Sequence, residues 1–180
     1  MRRGLALSFF ALVLAASACG GPTAQPAAGP RSVAKKAPDF TVDLVSGERF
    51  RLADHVGKDV VVIDFWTTFC QPCVGALEHL QKSYANHKTD GLVVLGVSMD
   101  PPETAGQVPS FVRTHGLSFP VVHDADSRVT ELYNKKSSAP FQVLIARDGS
   151  IVRIRETFQP GDEVSMESDI ATALAAKLAS

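Results

Sequence analysis

The chain has 180 residues, 45% hydrophobic and 21% charged, with 18 basic against 19 acidic side chains. This fits one globular domain with appendages, burying about two-thirds of its unfolded surface in a real core. A formal charge of −1, without a long charge run, excludes electrostatic nucleic-acid binding, which needs a basic face.

Met1-Arg2-Arg3 is a short basic segment, and Gly4 to Ala16 is an almost wholly apolar run that includes Leu5, Leu7, Phe9, Phe10, Leu12, Val13 and Leu14. With Ala16-Ser17-Ala18 behind it, residues 1–18 have the form of a secretory signal peptide. The apolar run is 13 residues long, too short for a membrane span of roughly 20. Ala16 to Cys19 resembles the small-residue box of a bacterial lipoprotein signal, which implies cleavage before Cys19 and lipid attachment there. Without Arg2 and Arg3, 16 basic face 19 acidic side chains, a net charge of −3. Gly20 to Pro30 is rich in Gly, Ala and Pro and has no large apolar residue. With "RSVAKKA" it reads as a flexible tether over 19–37. The folded domain is expected over 38–180, without internal repeats.

In that domain "DFTVDLVSGERFRLADH" alternates apolar and polar residues around Ser46-Gly47, a hairpin signal. Asp59 to Trp66, "DVVVIDFW", is a continuous β-branched and aromatic run suited to a strand buried on both faces. From Cys73, the spacing of Leu77, Leu80 and Tyr84 predicts a helix that ends near Gly91. "LVVLGVSMD" is a second buried strand, broken by Pro101 and Pro102, before a helix around Val108 to His115. "FPVVHD" reads as a short strand and "DSRVTELYN" as a short helix. "FQVLIARDGSIVRIRE" holds two strands joined at Asp148-Gly149, a type I′-compatible pair. A helix from about Asp162 to Ala179 carries Ile170, Leu174 and Leu178 on one face. The fold class is α/β: an open mixed central sheet with helices on both faces and an N-terminal hairpin.

Outside the signal region the cysteines are Cys70 and Cys73, in "WTTFCQPCVG". A closed zinc site needs four ligands. No second pair exists, and His55, His79, His87, His115 and His123 stand at no ligand-like spacing, so no metal is expected. A stabilising staple gains most from closing a long loop, and this pair closes the shortest. A redox dithiol remains. Cys70 would sit at a helix N-terminus, where free N–H groups and the dipole favour a thiolate. Cys73, one turn in, would be shielded and placed to attack a mixed disulfide at Cys70. Pro72 suits the first helical turn.

These features resemble the thioredoxin superfamily, and within it the extracytoplasmic thiol–disulfide proteins related to TlpA and ResA. The matching segments are "APDFTVDLVSGERFRL", "VVVIDFWTTFCQPC", "LVVLGVSMD" and "SSAPFQVLIARDGSIV". The resemblance implies a thioredoxin-like fold, with Cys70 as nucleophile and Cys73 as resolving thiol. It makes Pro140, after Ala139, the cis-proline that faces the pair and helps to position an extended partner peptide. It also assigns Asp64, six residues before Cys70, as the buried proton relay to Cys73. A carboxyl inside an apolar run is costly unless paired or protonated, which makes it a functional candidate. Two positions depart from the family: Phe69 stands where Trp is usual, and Ala76 where many ResA-like proteins carry Glu. Trp66 is expected to be core packing.

The expected activity is exchange of the Cys70–Cys73 disulfide with protein dithiols or disulfides outside the cytoplasm. The family suggests reductive service, such as cytochrome c maturation. Two other functions compete. A peroxiredoxin-like peroxidase would share the fold, and Thr67 fits its pattern, but Ile63 stands where a proline is required. A Cu(I)-binding module would use the thiolate pair, with His123 as the available histidine. No glycine-rich phosphate loop is present, so no dissociable cofactor is expected. Electrons would come from a membrane or envelope partner protein. A lipid-anchored monomer is expected.

Overall fold

A computed structural model describes residues 35–176 of the chain. The signal segment, Cys19, the tether up to Ala34, and Leu178 lie outside the described residues. In chain order the elements are β1 (Lys35–Lys36), β2 (Thr41–Asp43), β3 (Arg49–Arg51), β4 (Val60–Trp66), α1 (Gln71–His87), β5 (Leu92–Ser98), α2 (Pro102–Ala105) and α3 (Val108–Thr114). They continue with β6 (Val121–His123), α4 (Arg128–Tyr133), β7 (Phe141–Ile145), β8 (Ser150–Arg155) and α5 (Asp162–Ala175).

Six strands form one mixed sheet in the order β1-β8-β7-β4-β5-β6, and β2 and β3 form a separate hairpin. β4 is buried at every position, as its unbroken apolar run requires. It pairs in parallel with β5 and antiparallel with β7. Side chains alternate between the two faces. Val60, Val62 and Trp66 pack with Cys73, Leu77 and Leu80 of α1, and with residues of α3 and α5. Val61, Ile63 and Phe65 pack on the opposite face with Phe40, Val42 and Phe50 of the hairpin region and Val129 of α4. Helices therefore cover both faces, and the hairpin shares the thinner one with α4. Full burial of each such side chain contributes roughly 1.5–3 kcal/mol.

The structure adds two elements to those expected. β1 pairs Lys35 and Lys36 with Ile151 and Ser150 of β8, and Ala37 N–H donates to the Gly149 carbonyl at 2.9 Å. This strand lies on the N-terminal side of residue 38, where the folded domain is expected to start. Backbone groups alone make this pairing, so an apolar pattern carries no trace of it. α2 starts at the Pro101-Pro102 pair, with Pro101 at the N-cap and Pro102 in the first turn. The prolines open a helix as well as ending a strand.

The β7–β8 connection also differs. Gly149 has φ +81°, but Asp148 has no positive φ, and a type I′ turn needs both. Gly149 N–H donates to the Ala146 carbonyl, and Ala146 N–H to that of Ser150. The ladder shifts register between Leu144 and Ile145.

Candidate active site

α1 begins where the central strand ends, and both cysteines lie at that junction. Cys70 is the N-cap residue, with extended backbone (φ −85°, ψ 98°), and Pro72 lies in the first turn. Cys70 and Cys73 are joined as a disulfide, with Cα atoms 5.3 Å apart. Cys73 has no exposed surface, whereas Cys70 is only partly buried. A partner can therefore approach one sulfur and not the other. Phe69, beside Cys70, is 62% exposed. It gives the site an apolar contact surface without the indole donor of a tryptophan.

The Ala139–Pro140 bond is cis. An open groove of about 520 Å³ runs past the disulfide, bounded by Thr67, Phe69, Cys70, Pro72, Met99 and Ala139. Pro140 is buried behind its wall. The loop carrying Ala139 is held by Asn134, which is 1% exposed. Its side-chain amide donates to the Ser138 carbonyl at 2.7 Å and accepts from Ser138 N–H at 3.1 Å.

Asp64 lies on β4 between Val62 and Trp66, so it points to the same face as Cys73. It has no exposed surface, and neither oxygen has a protein hydrogen-bond partner. Burial raises its pKa to about 7, and the facing amide of Gln142 offsets part of that rise without reaching hydrogen-bond geometry. The carboxyl can thus exchange a proton near neutral pH. Ala76 is buried in α1, so no acid comes from that position.

Asp100 is a site residue that the sequence pattern did not reveal. It is 4% exposed, just beyond the end of β5. It accepts hydrogen bonds from the Thr68 backbone N–H (3.0 Å), the Thr68 hydroxyl, Ser98 Oγ (2.8 Å) and Thr104 Oγ1 (2.8 Å). It ties the turn before Cys70 to the neighbouring strand. The available signal was a polar residue at the carboxyl end of a buried strand, where α/β sites collect. His123 Nε2 lies 2.8 Å from the Asp100 carbonyl, which accepts its N–H. Among the described residues no group of three or more His, Cys, Asp or Glu side chains could hold a metal ion. Ile63 packs on the sheet face opposite Cys73. Trp66 is fully buried and packs on Phe111 with ring centroids 4.7 Å apart.

A family model described as "AhpC/TSA family" matches residues 33–158. A protein named thiol-disulfide oxidoreductase ResA from Bacillus subtilis is 32% identical over 129 residues, covering 71% of this chain and 70% of its own. The protein of that name from Halalkalibacterium halodurans is 34% identical over 127 residues, covering 69% and 70%. A crystal structure from Chlorobium tepidum, provisionally designated thiol:disulfide interchange protein DsbE, superposes with a TM-score of 0.72 at 30% identity. It covers 79% of this chain and 97% of its own. The mixed sheet with its helices is thus a thioredoxin-like fold.

Proposed function

The chain belongs to the thioredoxin-like AhpC/TSA family together with ResA thiol–disulfide oxidoreductases, and from that premise we propose that it reduces protein disulfides outside the cytoplasm. It is a thiol–disulfide oxidoreductase. The observation that carries the rest is the asymmetric pair: Cys70 accessible at the start of α1, Cys73 shielded behind it, and a buried carboxyl at Asp64 on the same face.

In the reduced protein the Cys70 thiolate attacks a partner sulfur. The partner disulfide breaks, a mixed disulfide forms, and the departing partner thiolate takes a proton. Cys73 gives its proton to the Asp64 carboxylate and attacks Cys70 Sγ. The partner's second thiolate leaves and is protonated in turn, and the Cys70–Cys73 disulfide closes. Two electrons pass to the partner. Helix N–H groups and the dipole of α1 stabilise the attacking Cys70 thiolate in the reduced protein. Phe69 and Ala139 hold an extended partner segment in the groove, and Pro72 starts the helix that presents Cys70. A membrane or envelope protein returns the chain to the dithiol state, so no dissociable cofactor takes part.

The secretory form of residues 1–18 and the lipobox resemblance at Cys19 support a lipid anchor at an envelope membrane, where the chain would act as a monomer. No helix among the described residues is long and apolar enough to cross a membrane. Cytochrome c maturation is one service that fits such a reductant.

The deciding experiment is the reduction potential of the Cys70–Cys73 couple in thiol/disulfide buffers. A value near that of thioredoxin, about −270 mV, is expected; one near that of DsbA, about −120 mV, would make the protein an oxidant. Cys70→Ser should abolish exchange, and Cys73→Ser should accumulate mixed disulfides with partners. Full exchange activity in Cys70→Ser would sink the mechanism.

A further inference from the structure

Asp64 does not stand alone on its face of the sheet. The ladder pairs it with Gly96 of β5 on one side and Gln142 of β7 on the other, and Gln142 pairs in turn with Arg155 of β8. Directly paired residues share a face, so Gly96, Asp64, Gln142 and Arg155 form one transverse row. Gly96 contributes no side chain, and one would be crowded. A Cβ there would lie 3.1 Å from the Phe119 ring and 3.2 Å from Trp66 Nε1. The polar neighbour of Asp64 along the row is therefore Gln142.

Gln142 is a poor structural residue at that place. It is 8% exposed, and its Nε2 has no protein partner, although a buried amide without a partner is destabilising. Its four companions on β7 are Phe141, Val143, Leu144 and Ile145, so an aliphatic residue would suit the strand. On the far side of Gln142 is a cavity of about 20 Å³, walled mainly by aliphatic side chains, with Gln142, Arg153, Arg155 and Asp169 as its polar members. That is room for about one water. Asp64 does not line this cavity; Gln142 does. At its mouth Asp169 of α5 accepts from Arg153 at 2.8 Å and from Arg155 at 3.0 Å.

We propose that Gln142 is the positioning residue for Asp64: its side-chain amide orients the carboxyl, favours the ionised form, and stands between it and the small cavity under α5. This rests on the reading of Asp64 as the proton acceptor for Cys73. Several polar groups lie on this face of the sheet or pack against it. α1 presents Cys73, β8 presents Arg153 and Arg155, α5 presents Asp169, and β4 itself presents Trp66 Nε1. Gln142 alone among them is paired with Asp64 across the ladder.

The test compares wild type, Gln142→Leu and Asp64→Asn over roughly pH 5 to 9. One readout is the carbon-13 carboxyl titration of Asp64 in the oxidised protein, assigned by its disappearance in Asp64→Asn. The other is the rate at which Cys73 displaces glutathione from a mixed disulfide at Cys70, after reaction of the reduced protein with oxidised glutathione. In Gln142→Leu the carboxyl midpoint and the Asp64-dependent limb of the rate profile should move together to higher pH, by about one pH unit. Thermal stability should not fall. An unmoved midpoint in a folded Gln142→Leu overturns the proposal, as does a Gln142→Leu chain that loses its fold. If Asp64→Asn and wild type share one rate profile, the relay reading of Asp64 fails, whatever the midpoint does in Gln142→Leu.

Discussion

The carboxyl of Asp64 is more easily protonated in the folded chain than in the unfolded one, because burial raises its pKa from 3.8 to about 7. Between those values the native state binds more protons, so stability falls as pH rises through this window and levels off above it. Asp64→Asn removes that dependence. Thermal unfolding of the oxidised protein at about pH 8 should show the variant more stable than wild type, by up to a few kcal/mol. A wild-type chain whose stability does not decline from about pH 4 to pH 7 would contradict the burial argument. Asp64 was legible in the sequence because a charge inside an apolar run is anomalous whatever its surroundings. Gln142 was not. An amide in "PFQVLI" carries no such anomaly, and its place opposite Asp64 exists only once β7 pairs with β4.

Among the elements, the turn before Cys70 is fastened to β5 and α2 through Asp100. Asp100→Ala leaves Thr68 N–H, Ser98 Oγ and Thr104 Oγ1 without their acceptor. The expected cost is about 3 kcal/mol. Exchange should slow roughly ten- to a hundred-fold as Cys70 loses its placement, measured as single-turnover reduction of a disulfide substrate. α1 and α5 are joined at Glu167, which accepts from Ser83 Oγ at 2.6 Å and from His87 Nε2 at 2.8 Å. The Glu167 bond and a second to Asp90 raise the pKa of His87. Burial works against the Glu167 charge, but its bonds to Ser83 and His87 outweigh it and lower the pKa. The His87 contribution is complete below pH 6.5 and disappears as pH rises through its raised folded value. The Glu167 contribution is complete above 4.5 and is lost as pH falls through its lowered value. Glu167→Ala should therefore destabilise by about 1 kcal/mol at about pH 5.5, a modest figure because solvent screens the partly exposed Glu167, and by less at about pH 8. An equal loss of melting temperature at both pH values would show that the charge of His87 is not involved.

For the molecule as a whole, the sheet is closed at one edge by β1 and at the other by the hairpin loop, where Val45 N–H donates to the Val121 carbonyl at 2.8 Å. Both covers shield strand edges that would otherwise template aggregation. A chain starting at Pro38 loses the bonds of Lys35, Lys36 and Ala37 to β8 and its turn, including Lys36 Nζ to Asp148 at 3.0 Å. It should be less stable than a chain starting at Val33 by about 1–2 kcal/mol, and more prone to associate. Denaturant unfolding and light scattering of the two chains would measure both effects.

Periodicity and local chemistry determined the strands, the main helices, the dithiol and its helix N-terminus, because burial pattern, capping and the spacing of Cys70 and Cys73 are properties of neighbouring residues. The register of one strand on another is not such a property. Strand pairing set Gln142 against Asp64, placed Asp100 under Thr68, and drew Lys35 and Lys36 into the sheet. Each of these depends on backbone hydrogen bonds or buried polar contacts between segments more than 30 residues apart, and neither leaves a periodic signal in either segment.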